Sequence, residues 1–205
     1  QYVRSQQQQQ GESNHYNVFA VRGNHDDAAL AAALGDEERA KKPRYNWTKQ
    51  LSDEDVEWMA DLPYTITIPS SYLQSDDNRD TNDANKQAEH DVIVVHAGLL
   101  PNVALSDQRP KLMTTIRNVS HSDSPDKSDD NEERIEHIAV SKAWKGPEFV
   151  FFGHDARRGL QQEEYALGLD TGCVYGKQLT GIIFPERQLV SVDALEEYSP
   201  ITVKK

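Results

Sequence analysis

The stretch VIVVHAG, residues 92–98, places four apolar β-branched residues directly before a histidine. Short apolar runs of this kind predict buried β-strands. The same arrangement occurs twice more: residues 16–21 precede RGNHD at 22–26, and FVFF at 149–152 precedes GHD at 153–155. Buried strands that alternate with helical segments predict an α/β fold.

Two helices and several further strands complete the predicted pattern. The alanine-rich residues 28–34 predict a helix that ends near Gly35. Residues 53–59 predict a second helix, which Ser52 or Asp53 caps at its start. Further strands are predicted at residues 64–68, 181–184 and 188–192.

The charge of the chain narrows the choice of partners. Its 205 residues contain 34 Asp+Glu against 22 Lys+Arg, a net charge of -12. This balance argues against duplex nucleic acid, because DNA-binding domains are normally basic. A small phosphate-containing substrate is compatible with this negative charge, since bound metal ions supply local positive charge. No run of 18 apolar residues predicts a membrane span, and the sequence identifies no protein partner.

Two acidic segments interrupt the predicted elements. Residues 71–90 and 120–134 are rich in Asp, Ser and Asn. Such segments bury too little apolar surface to offset the entropy of ordering the chain. They predict flexible, solvated insertions.

The three strand ends carry residues that bind metals, namely Asn24, His25, His96 and His154. Loops that follow neighbouring strands of an α/β sheet meet at one edge, where distant residues converge. Imidazole nitrogen and amide oxygen are metal ligands, to which a shared carboxylate is normally added. A lone histidine is more often structural, and Asp26 alone is compatible with a helix-capping acid. The threefold repetition of the pattern favours a metal site.

Four segments carry a family resemblance: RGNHD at 22–26, VHAGLLP at 95–101, FGHDARRGLQ at 152–161 and GLDTGCVYG at 168–176. Together they resemble the calcineurin-like (PPP-type) metallophosphoesterases. They look most similar to the branch around bacterial symmetrical bis(5′-nucleosyl)-tetraphosphatase. Eukaryotic relatives of that branch include a fungal vacuolar zinc-dependent endopolyphosphatase and a kinetoplastid mRNA-decapping enzyme. The resemblance runs from about residue 17 to 192 and implies a β-sandwich flanked by helices.

The resemblance implies a role for each matching residue. Asn24, His96 and His154 match the ligands of one metal ion, and His25 matches the general acid that protonates the leaving oxygen. Histidine suits that role because its pKa lies near neutral pH. The family hydrolyses phosphate esters and anhydrides with two divalent ions. Zinc, manganese, iron and cobalt are all compatible with such ligands.

Two motifs of the family are missing from this sequence. It contains no Asp-x-His segment, and its Gly35-Asp36 pair follows RGNHD instead of preceding it. In the family these motifs supply the ligands of the other metal ion. We therefore expect residues 1–205 to be the C-terminal portion of one domain, without its first strand–helix segment, and to be inactive alone. A targeting signal would lie upstream of Gln1, so the compartment stays open between cytoplasm and vacuole.

Side chains near the last histidine are further candidates. Arg117 and Arg158, with Arg157 beside them, are placed to bind a substrate phosphate, and an ordinary ion pair or a solvated position is the alternative. Asp155 is a candidate partner that fixes the tautomer of His154, with a turn-capping role as its alternative.

Three functions are compatible with these features. The segments at 152–161 and 168–176 favour a hydrolase of phosphoanhydrides, such as polyphosphate or dinucleoside polyphosphate. A serine/threonine protein phosphatase would share the same metal core. A truncated relative that binds phosphate without turnover is the non-enzymatic alternative, which the two missing motifs support.

Overall fold

The computed structural model of the chain describes Ser5 and residues 18–73, 90–120, 137–183 and 186–199. The predicted insertions at 71–90 and 120–134 lie outside these residues except at their ends. The chain divides into two compact units, Gln1–Thr65 and Ile66–Lys205. None of the described helices has the length and apolar character needed to cross a membrane.

Helices form the first unit because its sequence supplies helix starts and an alanine-rich face. The Asp26 carboxylate accepts a hydrogen bond from the Gly23 N–H at 2.8 Å, and the Ser52 hydroxyl accepts one from the Asp55 N–H at 3.2 Å. These side chains satisfy backbone donors that a helix start leaves unpaired. The helices are α1 (Asn24–Ala33), α2 (Glu37–Ala40) and α3 (Asp53–Asp61), with a 3-10 helix at Asn46–Gln50. Their buried core consists of Ala28, Ala29, Ala32, Ala40, Tyr45, Met59 and Leu62.

A mixed sheet dominates the second unit. The strands along the chain are β1 (Thr65–Ile68), β2 (Val92–Val95), β3 (Asn118–Val119), β4 (Ile138–Ala139), β5 (Phe149–Phe152), β6 (Gln161–Gln162), β7 (Ala166–Gly168), β8 (Gln178–Ile183) and β9 (Gln188–Asp193). Five of them form one sheet in the order β1-β2-β5-β7-β6. Strand β2 is parallel to β5 and β5 is parallel to β7, whereas β6 is antiparallel to β7.

Shorter elements surround this sheet. Strands β3 and β4 form one antiparallel pair, and β8 and β9 form another. The short helices of this unit are α4 (Pro110–Met113) and α5 (Val140–Ala143), with 3-10 helices at Ser70–Tyr72 and Leu105–Asp107.

Both faces of the large sheet are covered, which explains why its central strands are apolar throughout. One face carries Val92, Phe151 and Leu167, and the β8–β9 hairpin packs on it through Ile182 and Leu189. Side chains alternate between faces along a strand. The opposite face, also buried, carries Ile93, Val95, Val150, Phe152 and Ala166. The large sheet and the β8–β9 hairpin therefore form two β layers that pack against each other.

The α/β class and most of the predicted elements are confirmed, with two corrections. The strand predicted at 16–21 is wrong over its described part: residues 18–21 belong to no strand, and Phe19 is 67% exposed. An apolar run becomes a strand only by pairing, and here the next residue, Arg22, donates its backbone N–H to the Pro63 carbonyl at 2.8 Å. Helix α1 begins at Asn24, earlier than predicted, because the Asp26 carboxylate closes its first turn.

Candidate metal centre

His96 directly follows β2, and His154 follows β5 after Gly153; the two strands are adjacent and parallel. Parallel strands end at the same edge of a sheet, so residues that follow them come close together. The Gly153 N–H donates a hydrogen bond to the His96 carbonyl at 2.8 Å, which extends this pairing into the two loops. His96 Nε2 lies 3.1 Å from His154 Nδ1. The structure thus brings two of the three predicted ligands together.

The backbone of His154 adopts an uncommon conformation. Its φ angle is 66°, in the left-handed region that residues with a Cβ atom rarely enter. Non-glycine residues kept in this region cluster at functional sites, where surrounding contacts hold them in place. The turn that follows supplies such contacts, because the Asp155 carbonyl accepts hydrogen bonds from the Arg158 and Gly159 N–H groups at 3.0 and 3.3 Å.

The surroundings of His154 keep its imidazole neutral. Burial of the ring, followed by the positive charge of Arg117 and the neighbouring His96, lowers its pKa to about 4. The Asp155 carboxylate and the backbone of Thr115 oppose this shift. The Nε2 atom is buried and has no hydrogen-bond partner among the described residues. A neutral imidazole has a free lone pair, which is the state in which histidine binds metals.

The two facing nitrogens fit a divalent metal ion. If both nitrogens bound one zinc ion with bonds of about 2.0–2.1 Å, their separation of 3.1 Å would give a nitrogen–zinc–nitrogen angle of roughly 100°. This angle is expected for neighbouring ligands. Among the described residues, no three His, Cys, Asp or Glu side chains form a group that could hold a metal. The histidine pair would therefore need further ligands to hold an ion.

Asn24 and His25 open helix α1 in the first unit. Asn24 is half-buried and His25 is exposed. Their roles as metal ligand and general acid stay predictions from the sequence. His25 Nδ1 lies 3.4 Å from the Tyr45 hydroxyl, and the Tyr45 side chain belongs to the buried core of that unit. This contact orients the His25 ring.

The Asp155 carboxylate contacts two arginines, Arg117 and Arg158. We call these three residues the arginine clamp. The Asp155 side chain is 5% exposed, its Oδ2 contacts an Arg158 terminal nitrogen, and its Oδ1 lies 3.6 Å from Arg117 Nε. The Arg117 and Arg158 side chains remain 45% and 37% exposed. Asp155 thus pairs with both arginines through its carboxylate and forms a turn through its backbone.

Further hydrogen bonds fix the two guanidinium groups beside the histidine pair. Arg158 donates to the Asn118 side-chain oxygen at 2.6 Å and to the Arg117 carbonyl at 3.4 Å. Arg117 donates to the His154 carbonyl at 3.4 Å. Two guanidinium groups share one carboxylate, so the clamp carries a net positive charge next to the candidate ligands. Such a group binds anionic oxygens, and phosphate above all.

Comparison with known proteins finds relatives named bis(5′-nucleosyl)-tetraphosphatase. No family model matches the chain. Bis(5′-nucleosyl)-tetraphosphatase PrpE (asymmetrical) of Bacillus velezensis is 28% identical over 109 residues, which are 53% of this chain and 41% of that protein. The protein of the same name from Bacillus subtilis is 39% identical over 56 residues, 27% of this chain and 23% of that protein.

A solved structure agrees with these relatives. It belongs to a protein provisionally assigned as a diadenosine tetraphosphatase, with a TM-score of 0.62 and 28% sequence identity. The similarity covers 86% of this chain and 68% of that one. These relatives support a calcineurin-like metallophosphoesterase.

Metallophosphoesterase relatives imply divalent metal ions in general, which agrees with the histidine pair. The curated relatives are named asymmetrical, whereas the sequence motifs look most similar to the symmetrical branch. The chain spans less than half of the length of these relatives.

Two contacts of the candidate residues were not predictable from the sequence. Asn118 fixes Arg158 across 40 positions, and Tyr45 lies against His25 across 20 positions. Neither residue stands in a motif or in a periodic pattern. Only the folded chain reveals such long-range partners.

The lowered pKa of His154 predicts a pH dependence for the metal-free chain. The unfolded imidazole takes up a proton near pH 6.5 and the folded one near pH 4, so the unfolded chain binds more protons in between. The free energy of unfolding should therefore fall as pH drops from 6.5 to 4, by about 2 kcal/mol after allowance for solvent around the ring. Urea denaturation of the wild type and the His154→Gln variant isolates this contribution, because the two proteins differ by this one titratable group. Equal pH dependence of the two proteins would contradict it.

Proposed function

We propose that this chain is part of a metal-dependent phosphoanhydride hydrolase whose substrates are dinucleoside polyphosphates. The observation that carries the proposal is the His96–His154 nitrogen pair, 3.1 Å apart, beside the arginine clamp. Two histidines that bind a metal ion, next to two arginines that bind phosphate, are the minimum that metal-assisted hydrolysis at phosphorus requires. The names of the relatives supply the substrate class.

We assign His96 and His154 to one of two divalent ions. Asn24 joins them in the proposal because of its RGNHD motif, and residues outside this chain complete the centre. When bound, divalent ions polarise the phosphoryl oxygens and make water a better nucleophile. Zinc, manganese, iron and cobalt are all accepted by such ligands, and metal availability decides among them.

The residues of the chain have separate tasks in this proposal. Arg117 and Arg158 bind the non-bridging oxygens of the phosphate, and Asp155 holds both guanidinium groups in position before substrate arrives. Donors fixed in advance stabilise developing charge without a reorganisation cost during the reaction. His154 is neutral at pH 7, so no proton competes for its lone pair. His25 is the proposed acid for the leaving oxygen, on the strength of its motif.

The proposal is tested by hydrolysis assays on the full-length protein with added Mn²⁺ or Zn²⁺. Diadenosine tetraphosphate, polyphosphate, capped RNA and a phosphopeptide serve as substrates. We expect kcat/KM for diadenosine tetraphosphate to exceed that for the others by at least about 100-fold. Chromatography of the products then identifies the bond that is cleaved, because symmetrical cleavage gives ADP alone and asymmetrical cleavage gives AMP with ATP.

The alternatives appear as other outcomes of the same assays. Faster hydrolysis of the phosphopeptide would identify a protein phosphatase, and faster hydrolysis of polyphosphate would replace the substrate class. Binding of phosphate without turnover of any substrate would identify a non-catalytic relative. Each of these three results would overturn the proposal.

A further inference from the structure

A cavity of about 640 Å³ lies beside Arg158 in the second unit. Its lining residues belong to β4 and α5, such as Ile138 and Lys142, and to β6 and the residues next to it, such as Leu160. Protein cavities that hold small organic molecules have volumes of about 300–1,000 Å³. The cavity is therefore large enough for a nucleoside.

The lining of the cavity combines positive charge with apolar surface. Lys142 and Arg158 contribute positive charge and Glu163 one negative charge, in a chain whose net charge is -12. The side chains of Ile138 and Leu160 are each 39% exposed and offer apolar contact area. A purely anionic ligand would gain nothing from this apolar area, whereas a nucleotide has a flat apolar base next to its phosphates.

Amide groups add hydrogen-bonding capacity to the wall. Gln161 and Gln162 line the cavity from β6. The buried Ser141 hydroxyl donates to the Gln161 side-chain oxygen at 2.9 Å, which fixes the orientation of that amide. Amide groups are donors and acceptors that suit the edge of a nucleobase.

Arg158 connects this cavity to the candidate metal centre. Its guanidinium group belongs to the arginine clamp, and its side chain also lines the cavity. A substrate whose phosphate binds at the clamp would thus extend past Arg158 into the cavity. We propose that the cavity binds the nucleoside end of the substrate, with the base between Ile138 and Leu160. This inference rests on the proposed function for the identity of the substrate.

Nucleotide binding without catalysis tests the inference directly. Calorimetric titration of the metal-free chain with ADP and with inorganic tripolyphosphate, in the presence of a chelator, separates the base from the phosphates. The Leu160→Ala variant should weaken ADP binding about tenfold, because it removes apolar contact equivalent to about two buried methylene groups. Tripolyphosphate binding should change less than about twofold, as expected for a ligand without a base.

A matched control and a second readout complete the test. Leu105 is 38% exposed and does not line the cavity, so Leu105→Ala should leave ADP affinity unchanged. ADP should also shift the methyl NMR signals of Ile138 and Leu160, whereas tripolyphosphate should not. Unchanged ADP affinity in Leu160→Ala, or equal weakening of both ligands, would refute the nucleoside site. These results are independent of hydrolysis, so failure of the proposed function would appear separately as absent turnover.

Discussion

Replacement of His154 by alanine in the full-length protein is expected to remove one of the two proposed metal ions and to lower kcat/KM for diadenosine tetraphosphate by about 1,000-fold or more. The Nδ1 atom of His154 lies 3.1 Å from His96 Nε2, so each ring supplies one nitrogen to the same point. Removal of one ring leaves the other without a partner ligand. Residues that only orient a metal ligand cost about 10–100-fold when replaced, and loss of the ligand itself should exceed that range.

The measurement combines metal content, determined by mass spectrometry after gel filtration, with steady-state kinetics. His96→Ala should reproduce both effects, because both histidines are proposed ligands of the same ion. His90→Ala is the matched control, since His90 is exposed and lies before β2 instead of after it. Retention of two metal ions in both the His96 and His154 variants would show that this pair is not a metal site.

The strands that position these histidines were predictable because their sequences are unambiguous. VIVV and FVFF are short apolar runs, and the structure places strands at Val92–Val95 and Phe149–Phe152. Their convergence follows from a general rule about the ends of parallel strands. The apolar run at 16–21 has a similar composition, yet its described residues form no strand, because pairing depends on neighbours that a local sequence does not specify.

The arginine clamp was only partly predictable for a related reason. Its arginines stood out by their proximity to motifs, but the interaction that unites them was not apparent from the sequence. Arg117 and Asp155 are 38 positions apart, and their ion pair forms only because the residue before β3 and the loop after β5 lie close together in the fold. Asp155 follows His154 directly, which suggested a contact with its ring. That contact stays a prediction, and the Asp155 carboxylate pairs with both arginines.

Replacement of Asp155 by asparagine should destabilise the chain and weaken substrate binding together. Removal of one partner from a buried ion pair costs about 3–5 kcal/mol, and since both arginines reach solvent we expect about 2 kcal/mol here. Urea denaturation measures this change. In the full-length protein, KM for diadenosine tetraphosphate should rise about tenfold because the guanidinium groups lose their fixed positions.

Asp36→Asn is the control that separates burial from charge. Asp36 and Arg39 form an ion pair with the same spacing of three residues as Asp155 and Arg158, but both side chains are about 40% exposed. Asparagine caps a helix as well as aspartate does, so the unfolding midpoint of this variant should stay nearly unchanged. An equal effect of the two substitutions would mean that burial of Asp155 adds nothing. A destabilised Asp155→Asn protein with unchanged KM would mean that the clamp supports the fold and does not bind the substrate.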